Sequence, residues 1–197
     1  MRNILLVILC VIPLLVYVAK MKNFKLTPQL MVVISVASAM SYVLSLISFI
    51  KFPNGGGIQL LSMLPVLMVS ILYGRMAGIT TGLIYGLLSL ISGPYIIHPA
   101  QFMFDYILAR MSFGLADICG TKSKWQIFLG CIISVIISVL WSVLSGCIFF
   151  ADYAGGMNPF IYSLVYNFSC VGVEGILSSI VITMLPLSTL RKVAKAK

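Results

Sequence analysis

The only histidine and one of the four acidic residues of the chain lie within one short stretch, residues 93–106. The stretch reads Gly-Pro-Tyr-Ile-Ile-His-Pro-Ala-Gln-Phe-Met-Phe-Asp-Tyr. Its glycine and prolines end one apolar segment and begin another, which places Asp105 about two turns inside a new helix. In so apolar a chain this helix lies at membrane depth, where a charge costs about 2.5–3.5 kcal/mol and normally faces a protein interior. Asp105 is therefore the first candidate for binding or proton chemistry.

Several residues near Asp105 can cooperate with it. Gln101 stands four residues before the acid, so the two side chains share a helix face, and Tyr106 is adjacent. Arg110 follows five residues later and leaves an alternative open, because Asp105 could form a structural ion pair with it. His98 precedes a proline and is either a ligand-binding residue or the residue that starts the helix.

A second polar group lies near the C-terminus. Asn167 and Glu174 are seven residues apart and are predicted to share a helix face, while Tyr162 and Tyr166 stack one turn apart. Glu174 is equally consistent with a structural role, and the tyrosines are also typical of a membrane interface belt.

This combination of side chains suits a flat organic cation. Carboxylates attract the charge, and each cation–π contact with a tyrosine contributes about 0.5–2 kcal/mol. Gln101 and Asn167 add hydrogen bonds for a heterocycle. Two alternatives stay open: an intramembrane enzyme with Asp105 and Glu174 as an acid/base pair or with His98 as the base, or a proton-coupled carrier that uses Glu174.

Composition places the chain in a membrane. It has 197 residues, of which 61% are hydrophobic and 9% charged. Apolar runs of about 20 residues predict spanning helices, so the fold class is an all-α polytopic membrane protein. The formal net charge of +9 comes from cations scattered at helix ends, without the basic stripe of a nucleic-acid surface. The five cysteines lie singly in apolar runs, so no metal or cofactor is expected.

Six spanning helices are predicted, over residues 27–50, 58–73, 76–92, 100–119, 125–150 and 160–185. They form one membrane domain, residues 26–190, between a hydrophobic segment (residues 1–25) and a basic tail (residues 191–197). The apolar run 4–19 has no clear cleavage site, and we interpret it as a retained accessory helix, with a signal anchor or an uncleaved signal-like segment as the alternatives. Lysine and arginine concentrate at one end of the helices, which predicts a cytoplasmic C-terminus and a site that opens outside.

The first predicted helix carries two pairs of small residues spaced four apart. They are Ser35 with Ala39, and Ala37 with Ser41. Small residues let helix backbones approach closely in a membrane. The spacing fits either packing inside the bundle or contact with a partner subunit.

Three ordered blocks of sequence resemble one known family. The first is residues 93–109, in which an acid-Tyr pair precedes Leu-Ala. The second is residues 145–154, Ser-Gly-Cys-Ile-Phe-Phe-Ala-Asp-Tyr-Ala, and the third joins Gly-Met-Asn-Pro at 156–159 to Tyr-Ser-Leu-Val-Tyr-Asn at 162–167. With these blocks, residues 27–185 resemble the thiamine-specific substrate-binding (S) components of energy-coupling factor (ECF) transporters, the ThiT family.

The resemblance implies a six-helix protein, not an enzyme, that binds thiamine from outside and works with a transmembrane coupling subunit and two cytoplasmic ATPases. It implies that Asp105 is the pocket acid and that Ser35 and Ala39 meet the coupling subunit. Ser142 stands where the family has a histidine, so another vitamin or heterocyclic precursor stays open as the ligand. The predicted site comprises Asp105, Tyr95, Tyr106, Gly146, Phe150, Tyr162, Asn167, Ser142, Glu174 and Gln101.

Overall fold

The computed structural model describes residues 2–52, 56–93 and 95–195. Its helices are α1 (Arg2–Met21), α2 (Pro28–Leu46), α3 (Leu64–Tyr73), α4 (Arg75–Ser92), α5 (residues 99–115), α6 (Lys124–Phe149), α7 (Pro159–Met184) and α8 (Leu187–Lys195). An antiparallel hairpin of β1 (Ser48–Lys51) and β2 (Gly57–Gln59) joins α2 to α3. Among the described helices, α2, α4, α6 and α7 are long and apolar enough to span a membrane. The predicted all-α membrane bundle is confirmed.

The hairpin is the main departure from the predicted boundaries. The sequence predicts one helix up to residue 50 and the next from residue 58, but α2 ends at Leu46 and α3 begins at Leu64. Short apolar runs do not distinguish helix from strand, and β-branched and aromatic residues favour the strand here. The predicted loop residues Pro53, Asn54 and Gly55 lie outside the described residues, as does Pro94. Residues 191–195 of the predicted basic tail continue α8 as a helix.

Local sequence signals start the helices where they were expected. Thr27 Oγ1 accepts a hydrogen bond from the Leu30 amide at 3.2 Å, and Pro28 occupies the first turn. At the start of α6, Ser123 and Gln126 form a reciprocal capping box. These caps satisfy amides that the helices cannot pair internally.

The core lies along one face of α6. Apolar or small residues recur there every four positions, which gives α6 an inward stripe against α3 and α7. Opposite this stripe, Ile136 and Leu140 are about half exposed, as expected for side chains that face lipid. The stripe consists of Ile127, Cys131, Val135, Val139 and Val143.

Three glycines of α4, again four residues apart, bring α4 against the backbone of α5. A Cβ on Gly82 would overlap the Arg110 carbonyl oxygen, and one on Gly86 would overlap the Tyr106 carbonyl oxygen. A Cβ on Gly78 would first meet Ser70 of α3 and would lie 3.0 Å from the α carbon of Gly114 on α5. Without a strong hydrophobic force between helices in lipid, such close contact stabilises helix packing. The glycines therefore fix the depth and rotation of the helix that carries Asp105.

Candidate binding site

Asp105 lies in a π-helical segment of α5, Met103–Leu108. Such turns are rare and occur frequently at functional sites. Asp105 Oδ2 accepts hydrogen bonds from Gln101 Nε2 and from Ser145 Oγ on α6, each at 2.8 Å. Gln101 is only 2% exposed, and its Oε1 accepts from the Ile97 amide at 3.4 Å. The predicted pairing of Gln101 with Asp105 is present, and Ser145 is a partner that the sequence analysis missed.

Arg110 does not form the ion pair that was considered for Asp105. Its guanidinium lies over the ring of Tyr85, with Cζ 4.9 Å from the ring centroid. Among the described residues the one ion pair joins Arg75 to Asp117, at 2.9 Å. Arg110 Nε is buried and has no hydrogen-bond partner among the described residues. Asp105 thus receives its hydrogen bonds from neutral donors and forms no ion pair with a described residue, although Arg110 interacts with it electrostatically.

Gly146 brings α7 against α6 beside this carboxylate. A Cβ on Gly146 would overlap Ser163 Oγ and would lie 3.8 Å from Asn167 Nδ2. Asn167 Nδ2 donates to the Ser163 carbonyl oxygen at 2.9 Å, and Ser163 Oγ donates to the Val143 carbonyl oxygen at 3.1 Å. Polar side chains therefore lie on α5, α6 and α7 next to Ser145 and Gly146, and we call Gln101, Asp105, Ser145, Ser163 and Asn167 the polar strip. The place of Asn167 in a binding site stays a prediction. Ser163 was missed, although its place one turn before Asn167 is a usable signal.

Aromatic rings lie on the chain segments that follow Gly146 on α6 and precede Asn167 on α7, and on the segment before α5. Tyr95 is 63% exposed, and its ring lies 6.4 Å from that of Phe150, which lies 5.9 Å from that of Tyr153. Tyr95 raises the pKa of Tyr153 through their electrostatic interaction and a hydrogen bond between them. On α7, Tyr162 and Tyr166 stack with centroids 6.1 Å apart, as predicted. These rings supply the faces that a cation can contact.

Two further predicted residues lie on the same helices. Tyr106 is half-buried and stacks with Phe102, with centroids 6.0 Å apart. Ser142 is half-buried on α6, one turn before Gly146, so it lies on the side of α6 that carries the strip.

The hairpin packs against α7. The Gly56 amide donates to the Tyr166 hydroxyl at 2.8 Å, and the Phe52 ring meets the Tyr166 ring edge to face at 5.9 Å. Glu174 holds the base of the hairpin, because its carboxylate accepts from Ser62 Oγ at 2.8 Å and from the Gln59 amide at 3.4 Å. The chain segment between α2 and α3 is thereby attached to the helix that carries Asn167.

Glu174 consequently belongs to a second cluster and not to the Asp105 strip. It is 3% exposed, and Ser62, its closer donor, also accepts from the Tyr85 hydroxyl at 3.1 Å. Asn167 and Glu174 were predicted to share a face, but a π-helical segment, Phe168–Gly172, lies between them. The wider turn adds a residue and rotates Glu174 away from the face predicted for it.

We expect Glu174→Gln to loosen the hairpin while the bundle stays folded. The amide cannot accept from both donors with equal strength, and hydrogen bonds to a buried charge stabilise by about 1.5–3 kcal/mol. Hydrogen–deuterium exchange should become faster over residues 56–62. Asp152→Asn, which removes an exposed acid outside this cluster, is the matched control. Unchanged exchange in the hairpin of Glu174→Gln would contradict this assignment.

His98 starts α5. Its Nδ1 accepts from the Ala100 amide at 3.1 Å, and its ring stacks on Phe149 with centroids 4.9 Å apart. It lines a concavity of about 400 Å³ that contains none of the predicted binding residues. The structure thus favours the helix-start interpretation over a role as a ligand-binding residue.

The fold defines a class: a polytopic membrane protein whose helices carry a candidate small-molecule site. The profile of the family described as Thiamine transporter protein (Thia_YuaJ) matches residues 31–194. The thiamine transporter ThiT of Bacillus subtilis (strain 168) is 30% identical over 168 residues, which are 77% of this chain and 87% of that protein. The chain belongs to the thiamine transporter family.

Solved structures support the fold. ThiT from Listeria monocytogenes superposes with a TM-score of 0.74 at 24% identity, covering 84% of this chain and 96% of that one. The S component of a bacterial ECF transporter gives a TM-score of 0.53 at 22% identity, covering 85% and 96%. The six-helix bundle α2 to α7 therefore has the S-component fold.

Proposed function

We propose that the protein is the substrate-binding S component of an ECF-type importer and that its ligand is thiamine. The observation that carries the proposal is the Asp105 carboxylate, held inside the bundle by Gln101 and Ser145 without a direct cationic partner among the described residues. Thiamine is a flat heterocyclic cation, which matches a carboxylate bordered by amides and tyrosine faces. Membership of the thiamine transporter family supports the same ligand.

The transport energy is proposed to come from partner ATPases. The sequence has no phosphate-binding glycine loop, and the fold of the S component of an ECF transporter implies a coupling subunit. Co-expression with a coupling subunit and two ATPases should give thiamine uptake into membrane vesicles that requires ATP. Uptake that is independent of ATP and abolished by a proton ionophore would instead indicate a proton-coupled carrier.

We infer that the Ser35–Ala39 side of α2 contacts the coupling subunit. The structure separates the two small-residue pairs of α2, because Ala37 and Ser41 are buried in the bundle whereas Ser35 and Ala39 are exposed. The internal pair accounts for packing within the chain. The external pair leaves a surface on which a second helix can approach closely.

We expect Ala39→Trp to abolish ATP-driven uptake and to leave thiamine binding to the isolated protein within about twofold, because an exposed substitution rarely changes stability by more than ~0.5 kcal/mol. Leu140→Trp, on the exposed face of α6, is the control and should affect neither measurement. Uptake by Ala39→Trp at the parental rate would remove this side of α2 from the subunit interface.

The C-terminus is proposed to be cytoplasmic, with the hairpin and the Tyr95 end of the bundle outside. Basic residues at the opposite end support this orientation: Lys20, Lys22, Lys25, Arg75, Lys122, Lys124, Arg191 and Lys192. A C-terminal alkaline phosphatase fusion should be inactive in cells, and an active fusion would reverse the proposed topology.

A further inference from the structure

We propose that α1 is retained as an additional membrane helix and that it positions Asp105 by packing against the π-helical segment of α5. The family match begins at residue 31, after α1 has ended. The ligand-binding part of this inference rests on the proposed function. The docking of α1 does not.

The contacts of α1 extend along the bundle. Near its start, Leu6 and Cys10 are 6% and 7% exposed and pack with Phe104 and Leu108 of α5. Near its end, the Tyr17 hydroxyl lies 3.0 Å from Thr80 Oγ1 of α4. Thr80 already donates to the Met76 carbonyl oxygen, so Tyr17 is the donor. The backbone of α1 covers about 30 Å, the thickness of the hydrocarbon core, and its described apolar part, Leu6–Met21, is shorter than the four spans named above.

The opposite face of α1 is exposed, and its apolar residues suit lipid. Val7, Ile12 and Leu15 are 59%, 54% and 61% exposed. A helix with one buried and one lipid-type face fits the edge of a bundle. Removal of α1 would uncover Phe104, which is otherwise fully buried, and would remove the hydrogen bond that Thr80 accepts from Tyr17.

A short path connects α1 to the carboxylate. Phe104 contacts α1 on one side and stacks on Trp141 of α6 on the other, with centroids 5.6 Å apart. Asp105 is the next residue, and its partner Ser145 stands one turn after Trp141. Phe104 is thus packed between α1 and Trp141 in the π-helical segment of α5, where the backbone departs from regular helical hydrogen bonding. Displacement of α1 frees one side of Phe104 and shifts Asp105 relative to Ser145.

The binding test compares the same substitution on the two faces of α1. Cys10→Trp forces a large ring into the buried contact, whereas Ile12→Trp places it toward lipid. We expect Cys10→Trp to weaken thiamine binding by about tenfold or more, because small displacements of the residues that hold a binding side chain strongly lower the affinity. Ile12→Trp should change the thiamine affinity less than about twofold. Binding of a neutral pyrimidine fragment should change little in either variant, since a displaced Asp105 loses chiefly its attraction for the cation.

Equal affinities of the two variants for thiamine would overturn the positioning role. So would a parallel loss of thiamine and pyrimidine binding in Cys10→Trp, because general destabilisation affects both ligands. If Cys10→Trp does not fold, Tyr17→Phe provides the milder displacement of α1. The ratio of its affinities for thiamine and for the pyrimidine fragment is then interpreted in the same way.

Docking is tested without any ligand. Cys10 and Met103 line the same groove, of about 290 Å³, between α1 and the start of α5. After treatment of Met103→Cys with a short bis-maleimide, trypsin can cut at Lys20 in the last turn of α1 and at Lys22 and Lys25 between α1 and α2. We expect α1 to stay covalently attached to the bundle, and to be released when Cys10→Ser is added. Release of α1 both with and without Cys10→Ser would overturn the inference, even if the protein binds thiamine. So would an intact-mass measurement which shows that the mature protein lacks residues 1–20.

Discussion

Asp105→Asn should weaken thiamine binding by roughly 30- to 1,000-fold, equivalent to about 2–4 kcal/mol, while the protein remains folded. The substitution keeps the size of the side chain. The asparagine stays within hydrogen-bonding distance of Gln101 and Ser145. It removes the negative charge, and in a site with little water the interaction between that charge and a cationic ligand is only weakly screened. The affinity should be measured by isothermal titration calorimetry on purified protein.

Two controls accompany this measurement. Asp152→Asn removes an exposed acid near the aromatic rings, and Lys51→Gln removes an exposed cation on β1. Both should stay within about twofold of the parent protein, as expected for exposed charges. If Asp105→Asn binds thiamine as tightly as these controls do, Asp105 is not the pocket acid.

Gly146→Ala should lower thiamine affinity by about tenfold or more and destabilise the bundle by about 1–3 kcal/mol, the usual cost of overpacking. The added Cβ would overlap Ser163 Oγ. The helices α6 and α7 would therefore move apart at the level of Ser145 and Asn167, which both belong to the polar strip. Thermal unfolding in detergent gives the stability, and a thiamine titration of the folded fraction gives the affinity.

A second-site change distinguishes this crowding from other effects of the methyl group. Ser163→Gly removes the two atoms with which the new Cβ would clash, so the double variant should recover part of the affinity. Gly172→Ala is the control, because its Cβ would meet the movable and half-exposed ring of Phe168. A Gly146→Ala variant that binds as tightly as Gly172→Ala would contradict the proposed close contact.

The sequence predicted the bundle well because its signals are local. Long apolar runs defined the spans, while Thr27 with Pro28, and Pro99, defined helix starts. The pairing of Gln101 with Asp105 also followed from spacing alone, since a four-residue separation survives in the observed helix. These features need no knowledge of how the helices pack.

Features that depend on packing were not predicted. The hairpin forms because the chain after Leu46 pairs with residues 57–59 and rests on α7, and neither contact is visible in a hydropathy pattern. The π-helical segment after Asn167 moved Glu174 off its predicted face. Ser145 became a partner of Asp105 only because two helices meet there.

The central claim is that this chain alone binds thiamine at Asp105. The most direct test is a titration of the purified protein, without partner subunits, that follows tryptophan and tyrosine fluorescence, with pyrimidine and thiazole fragments as references. We expect saturable thiamine binding that is tighter than that of either fragment and is lost in Asp105→Asn. Folded protein that shows no thiamine binding would contradict the claim and would direct attention to another heterocyclic ligand, with Ser142 as the first residue to examine.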